Sequence, residues 1–185
     1  MFKWFRPAAI DPLSVSMAGA KLGDRLLVIG CGDPHLIAVL GAKVGLSGRT
    51  CAVDDSPART TEAGRIALKE GVLVETSSST LDALAFDDRS FDVVVVRGTG
   101  GETGAVRLPV FREALRVLRP GGRCVVIDSV GRAGGIATLL GSQPRATRTD
   151  DDGTVDALKG LGFVAVRVLA EREGVRFIEA VKKND

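Results

Sequence analysis

The chain has no tyrosine, one tryptophan and one histidine among 185 residues. Its core must therefore be built from aliphatic side chains and a few phenylalanines. One histidine and three scattered cysteines leave no cluster with the spacing of a metal site. Cys31, Cys51 and Cys124 are odd in number, and each lies at or near a predicted strand. They read as buried thiols in a reducing cytoplasm, not as a disulfide frame. No apolar run approaches the roughly 20 residues of a bilayer span. Lys3 and Arg6 precede no long apolar run or cleavage site, so a signal peptide is not expected. A net charge of +2 is too small to argue for a nucleic-acid or membrane partner. With 45% hydrophobic and 26% charged residues, the chain reads as one globular domain with its own core.

Glycine is plentiful, and its placement is informative. Residues 25–30, with the apolar run Leu26-Leu27-Val28-Ile29, form a buried strand that stops at the Gly30-Cys31-Gly32 turn. Asp33 and Pro34 then start a helix over 34–45, as N-cap and first-turn proline. A second strand over 50–54 ends at Asp54-Asp55. Ser56-Pro57 repeats the cap signal for a helix running to Gly71. Further strands are expected at 72–76, 91–96 and 123–128, with a helix over 105–118 before the last. A helix near 153–160 leads to strands at 163–169 and 175–182, joined by a tight turn at Glu173-Gly174. Continuous apolar strands alternating with helices predict an α/β fold with a parallel sheet covered on both faces. The terminal hairpin adds one antiparallel strand at or near the far edge.

A bare glycine turn at the carboxyl end of a strand, followed by a helix N-terminus, is where open α/β sheets bind ligands. An acidic residue closing the next strand can accept hydrogen bonds from ribose hydroxyls. The two features together predict a nucleoside-bearing cofactor.

The order of four segments resembles the class I S-adenosylmethionine-dependent methyltransferases, most closely the small-molecule branch that includes the quinone-biosynthesis enzymes. Residues 23–32 are similar to the family's first motif, and residues 48–56 to its second strand with the ribose-binding acid. Residues 84–94 are similar to the segment leading into strand four. Ala114-Leu115-Arg116-Val117-Leu118-Arg119-Pro120-Gly121-Gly122 resembles the signature that leads into strand five. The resemblance spans about residues 22–182. It implies a doubly wound, Rossmann-like, seven-stranded sheet with strand seven antiparallel. It also implies S-adenosylmethionine as cofactor and a small-molecule methyl acceptor reached by in-line transfer.

The cofactor-binding positions carried over are Gly30, Cys31, Gly32, Asp33, Asp54, Asp55, Thr80, Leu81, Arg97 and Gly98. Two departures stand among them or beside them. Pro34 replaces the family's third glycine and removes an N–H at the helix start. Thr80 stands where the family often has an adenine-binding aspartate, so that contact carries no charge. Either Asp54 or Asp55 could hold the ribose while the other caps the helix; alignment favours Asp54. Arg97 could line the pocket or pair with Glu102 on the surface. His35 reads as structural or solvent-facing, and Asp87, Asp88 and Asp92 as residues that turn the chain. Arg112, Arg116 and Arg119 read as a solvated helix face.

Residues 1–21, with Phe2, Trp4 and Phe5, are expected to pack on or flap over the domain formed by 22–185. The glycine-rich stretch 131–149 could be a lid, an interface or a plain loop. Catalytic residues are not identifiable, because methyl transfer from a sulfonium needs alignment more than acid–base groups. A degenerate, non-catalytic binding module is the alternative. A nicotinamide-dependent oxidoreductase is a third reading, disfavoured because it wants glycine where His35 stands.

Overall fold

The computed structural model describes residues 11–97, 107–129 and 149–184. A short helix, α1 (Pro12–Ala18), precedes strand β1 (Arg25–Ile29). Then come α2 (Pro34–Val44), β2 (Arg49–Asp54), α3 (Pro57–Lys69), β3 (Glu75–Ser78) and β4 (Phe91–Arg97). The chain closes with α4 (Leu108–Val117), β5 (Leu118–Ser129), α5 (Thr149–Gly160), β6 (Phe163–Arg172) and β7 (Val175–Lys182). The seven strands form one sheet in the order β3-β2-β1-β4-β5-β7-β6. All neighbours pair parallel except β7, which runs antiparallel to both β5 and β6. The reversed strand is thus one in from the edge.

Both faces of the sheet are covered, as the unbroken apolar strands require. Alternate side chains of each strand point to opposite faces. Leu27, Ile29, Val94, Val96, Cys124 and Val126 pack with Phe111, Ala114 and Val117 of α4 and Leu158 of α5. Leu26, Val28, Val93, Val95 and Val125 pack on the other face with α1, α2 and Ala63 of α3. Ala18 of α1 is fully buried there, and its carbonyl accepts a hydrogen bond from Arg123 Nη2 at 2.7 Å. Residues 1–10, the start of the expected N-terminal extension, lie outside the described residues, as do 131–148. Among the described residues, no helix is long and apolar enough to cross a membrane.

Several boundaries differ from the sequence expectation: α5 begins at Thr149 rather than near 153, and β6 runs on to Arg172. Strand β3 begins at Glu75 rather than at 72, because the apolar Val72-Leu73-Val74 follows the end of α3 without pairing. Helix α4 begins at Leu108. Strand β5 begins at Leu118, where Leu118 pairs with Phe91, and resumes at Arg123 opposite Val93 after a register shift. Pro120-Gly121-Gly122 thus lies inside the strand, with Gly121 at φ +72. The Glu173-Gly174 turn has both residues at positive φ, 54 and 78, the geometry that suits a tight hairpin.

Arg116 and Arg119 are not a solvated helix face. Arg116 donates to the carbonyls of Leu84 and Phe86 and pairs with Glu113 and Asp88. It thereby ties the segment before β4 onto α4. Arg119 lies in β5 and pairs with Asp92, which also accepts from the Arg25 amide at 2.6 Å.

Candidate functional site

The chain leaves β1, builds β2 and β3 outward on one side, and returns to place β4 on the other. That reversal opens a crevice at the carboxyl ends of β1 and β4, where doubly wound sheets bind ligands. The glycine turn sits there. Gly30 has φ +96, and its N–H donates to Val53 O at 2.8 Å. A Cβ on Gly30 would lie 2.5 Å from the Arg97 carbonyl, so only glycine fits between the two strands. A Cβ on Gly32 would meet nothing within 4 Å. Gly30 is therefore required by the fold, whereas Gly32 leaves open space above the main chain.

Asp54 joins this turn to the end of β2. Its Oδ2 accepts from the Cys31 amide at 2.7 Å, and its Oδ1 accepts from the Ser56 amide at 2.9 Å. The side chain is 0% exposed, and the half-exposed Arg59 guanidinium lies 3.4 Å away. Burial opposes ionisation of Asp54, but the Cys31 and Ser56 amides, the hydrogen bond with Asp55 and the Arg59 charge together outweigh it and hold the carboxyl below its ordinary value. Asp55 is exposed beside it, and hydrogen bonding to Asp54, with burial and like charge, pushes its carboxyl up. Of the two alternatives for the acidic pair, Asp54 thus organises the main chain of both turns. Ser56 makes no side-chain cap for α3; Asp54 meets its amide instead.

Asp33 caps α2 as expected, accepting from the Leu36 amide at 3.0 Å. Its other oxygen lies 3.1 Å from Arg97 Nη1, so the partner of Arg97 here is Asp33. Glu102, the alternative, lies outside the described residues, as does Gly98. Arg97 Nη1 is buried and meets Asp33 as an ion pair without a hydrogen bond. Pro34 takes the first helical position of α2, where an N–H has no partner within the helix in any case. His35 is half-buried beside Glu62 of α3.

Thr80 and Leu81 follow β3, whose end is held to β2 by a hydrogen bond from the Ser79 amide to the Asp54 carbonyl at 3.2 Å. Thr80 is exposed, and Leu81 packs partly against the core. Sheet topology therefore gathers Gly30, Cys31, Gly32, Asp33, Asp54, Asp55, Thr80, Leu81 and Arg97 along the ends of β1 to β4. Burial pushes the Cys31 and Cys124 thiols up to about 12 and Cys51 up to about 11, so none is a ready nucleophile. No group of ligating side chains among the described residues could hold a metal.

The arrangement suits an adenosyl ligand on three counts. There is open space over Gly32, a buried carboxylate at the β2 tip, and a guanidinium at the β4 tip with a buried nitrogen that makes no hydrogen bond. Two ion pairs of the site had no signal in the sequence, Asp33–Arg97 and a second at the ends of α4 and β5. Arg107 and Asp128, 21 residues apart, form a part-buried ion pair at the start of α4 and the end of β5.

Comparison with known proteins bears on this geometry. Residues 27–126 match the methyltransferase domain family. The chain is 35% identical over 120 residues to the chloroplastic 2-phytyl-1,4-beta-naphthoquinone methyltransferase of Arabidopsis thaliana, covering 63% of this chain and 46% of that protein. It is 34% identical over 113 residues to the demethylmenaquinone methyltransferase of Lactococcus lactis, covering 60% of this chain and 44% of that one. The chain thus spans about half the length of the curated relatives it matches. Its fold is similar to that of a SAM-dependent methyltransferase from Aquifex aeolicus, with TM-score 0.71, 21% identity, and coverage of 92% and 93% of the two chains.

Proposed function

The chain belongs to the methyltransferase domain family, and from that premise we propose that it is an S-adenosylmethionine-dependent methyltransferase acting on a small-molecule acceptor. The names of its relatives point to a quinone-type ring as the acceptor class. The observation that carries the reading is the Asp54 bridge between the amides of Cys31 and Ser56 beside the open face of Gly32.

The cofactor, when bound, supplies a methyl group already activated by a positive sulfur. The chain's own residues then have three tasks. The main chain of Gly30, Cys31, Gly32 and Asp33 binds the ligand by close approach, the Gly30 and Cys31 N–H groups being already held by Val53 and Asp54. Asp54 holds that main chain in place and takes the ribose hydroxyls. A carboxylate has about four lone-pair positions, of which the Cys31 and Ser56 amides and Arg59 engage three. Asp55 is the neighbouring carboxylate on the ribose side. Thr80 and Leu81 flank the adenine, and Arg97 and Gly98 meet the far end of the ligand. Residues 1–21 form an extension that packs on or covers the domain of 22–185. The three buried thiols suit a reducing compartment such as the cytoplasm. The small net charge suits a small-molecule acceptor better than nucleic acid.

A ligand that binds the native state raises its stability in proportion to ln(1 + [L]/Kd). S-Adenosylhomocysteine is expected to raise the melting temperature, and NAD to leave it unchanged. A shift with NAD and none with S-adenosylhomocysteine overturns the assignment. Transfer of labelled methyl groups to a reduced naphthoquinone then tests for turnover.

A further inference from the structure

We propose that Arg107, held by Asp128, binds an ionised ring oxygen of the methyl acceptor. The inference rests on the methyltransferase reading above. Arg107 occupies the N-cap position of α4, and its side chain is 7% exposed. One nitrogen, Nη1, pairs with Asp128, and the guanidinium lies over the Phe111 ring at 5.2 Å. The other, Nη2, is buried with no hydrogen-bond partner. A buried donor without a partner costs stability, so its persistence needs an explanation.

The surroundings favour an anion. No side chain caps α4, its first turn holds no acidic residue, and Pro109 stands within that turn. The positive end of the helix dipole therefore adds to the arginine, an unfavourable pairing that a bound anion would relieve. Asp128 neutralises one charge only. It is 18% exposed, which leaves the pair open on that side.

The placement favours the acceptor rather than the cofactor. Ile127 is the register partner of Arg97, so Asp128 lies one residue past the rung that carries Arg97. Asp128 continues the Cys124–Val126 row on the α4 face, whereas Arg97 continues the Val93–Val95 row toward α2. The Asp33–Arg97 and Arg107–Asp128 pairs thus flank the tips of β4 and β5 from opposite faces of the sheet. The proposal thus has the acceptor approach the methyl donor from the α4 face of the sheet. The fork of the guanidinium lets one nitrogen hold Asp128 while the other donates to the acceptor oxygen.

The probes are 1,4-dihydroxynaphthalene, kept reduced, and its dimethyl ether, which has no ionisable hydroxyl. Binding is measured by calorimetry on the full chain, with and without S-adenosylhomocysteine. The wild-type protein is expected to prefer the dihydroxy compound by about tenfold or more, the effect of a hydrogen bond to a charged group. Arg107→Lys keeps the charge but has one nitrogen for two partners, and it is expected to lose most of that preference at an unchanged melting temperature. If Arg107→Lys does not fold, Asp128→Asn decides. It keeps an acceptor for Nη1, removes the neutralising charge, and should increase the preference about threefold or more. No preference in the wild type, a preference retained in Arg107→Lys, or one unchanged or reduced in Asp128→Asn overturns the proposal. Loss of S-adenosylhomocysteine binding with the probe preference intact counts against the cofactor reading instead.

Discussion

The two ends of the sheet differ in kind. At the end where β2 and β3 begin, a cavity of about 360 Å³ opens among Gly41, Gly45, Leu46, Arg49, Val72 and Leu73. Leu46 beside it is 91% exposed, and Arg49 pairs with Glu75 in solvent. The opposite end carries more chemistry. Main-chain amides, a buried carboxylate and two guanidinium groups, each with one buried nitrogen that makes no hydrogen bond, lie about the tips of β1, β4 and β5. A hollow near the surface needs only side chains that stop short of one another. Convergent polar groups in a dry setting cost free energy and persist where a ligand completes them.

Substitutions at the two ends should separate these roles. Gly30→Ala is expected to have the largest effect. It combines φ +96 with a Cβ 2.5 Å from the Arg97 carbonyl, and it should cost about 3 kcal/mol or more in urea unfolding. Asp54→Ala comes next. It strands the buried Cys31 amide, so a loss of about 1–3 kcal/mol is expected, together with loss of the S-adenosylhomocysteine shift. A folded variant that keeps the full shift contradicts the ribose assignment.

The acid limb of stability follows from the same carboxylate. Asp54 titrates below its ordinary 3.8, so it stabilises the fold above that pH and loses this contribution as pH falls. Melting temperatures measured from pH 7 down to 3 should drop less steeply for Asp54→Asn than for the wild type. Asp55 is shifted the other way, so Asp55→Asn should leave the acid limb in place. Gly32→Ala should leave unfolding within about 0.5 kcal/mol of wild type, because its Cβ meets nothing. It should still weaken S-adenosylhomocysteine measurably in calorimetry by filling the open face. Leu46→Ser, at the cavity end, is expected to change neither ligand affinity nor stability by more than about 0.5 kcal/mol. Impaired ligand binding there would erase the distinction between the ends.

Most elements were legible because burial on both faces leaves continuous apolar runs. Val93–Val96 reads as a central strand and is one. The errors fall where apolar character and pairing part company. Val72-Leu73-Val74 is apolar without pairing, and Glu75–Ser78 is polar but pairs through its backbone at the sheet edge. Pro120-Gly121-Gly122 reads as a break, yet β5 passes through it with a register shift. Within the site, the glycine turn and Asp54 were legible because their spacing is local to one βαβ unit. The Asp33–Arg97 and Arg107–Asp128 pairs were not, since each joins residues that only the strand order brings together.

The central claim is that an adenosyl ligand binds over the main chain at the tip of β1. Amide spectra of ¹⁵N-labelled protein titrated with S-adenosylhomocysteine test it residue by residue. The account predicts saturable shifts at Cys31, Gly32, Asp33 and Ser56, with Gly45, Gly48 and Gly71 at the cavity end unmoved. Shifts confined to the cavity end, or none at saturating ligand, would contradict it.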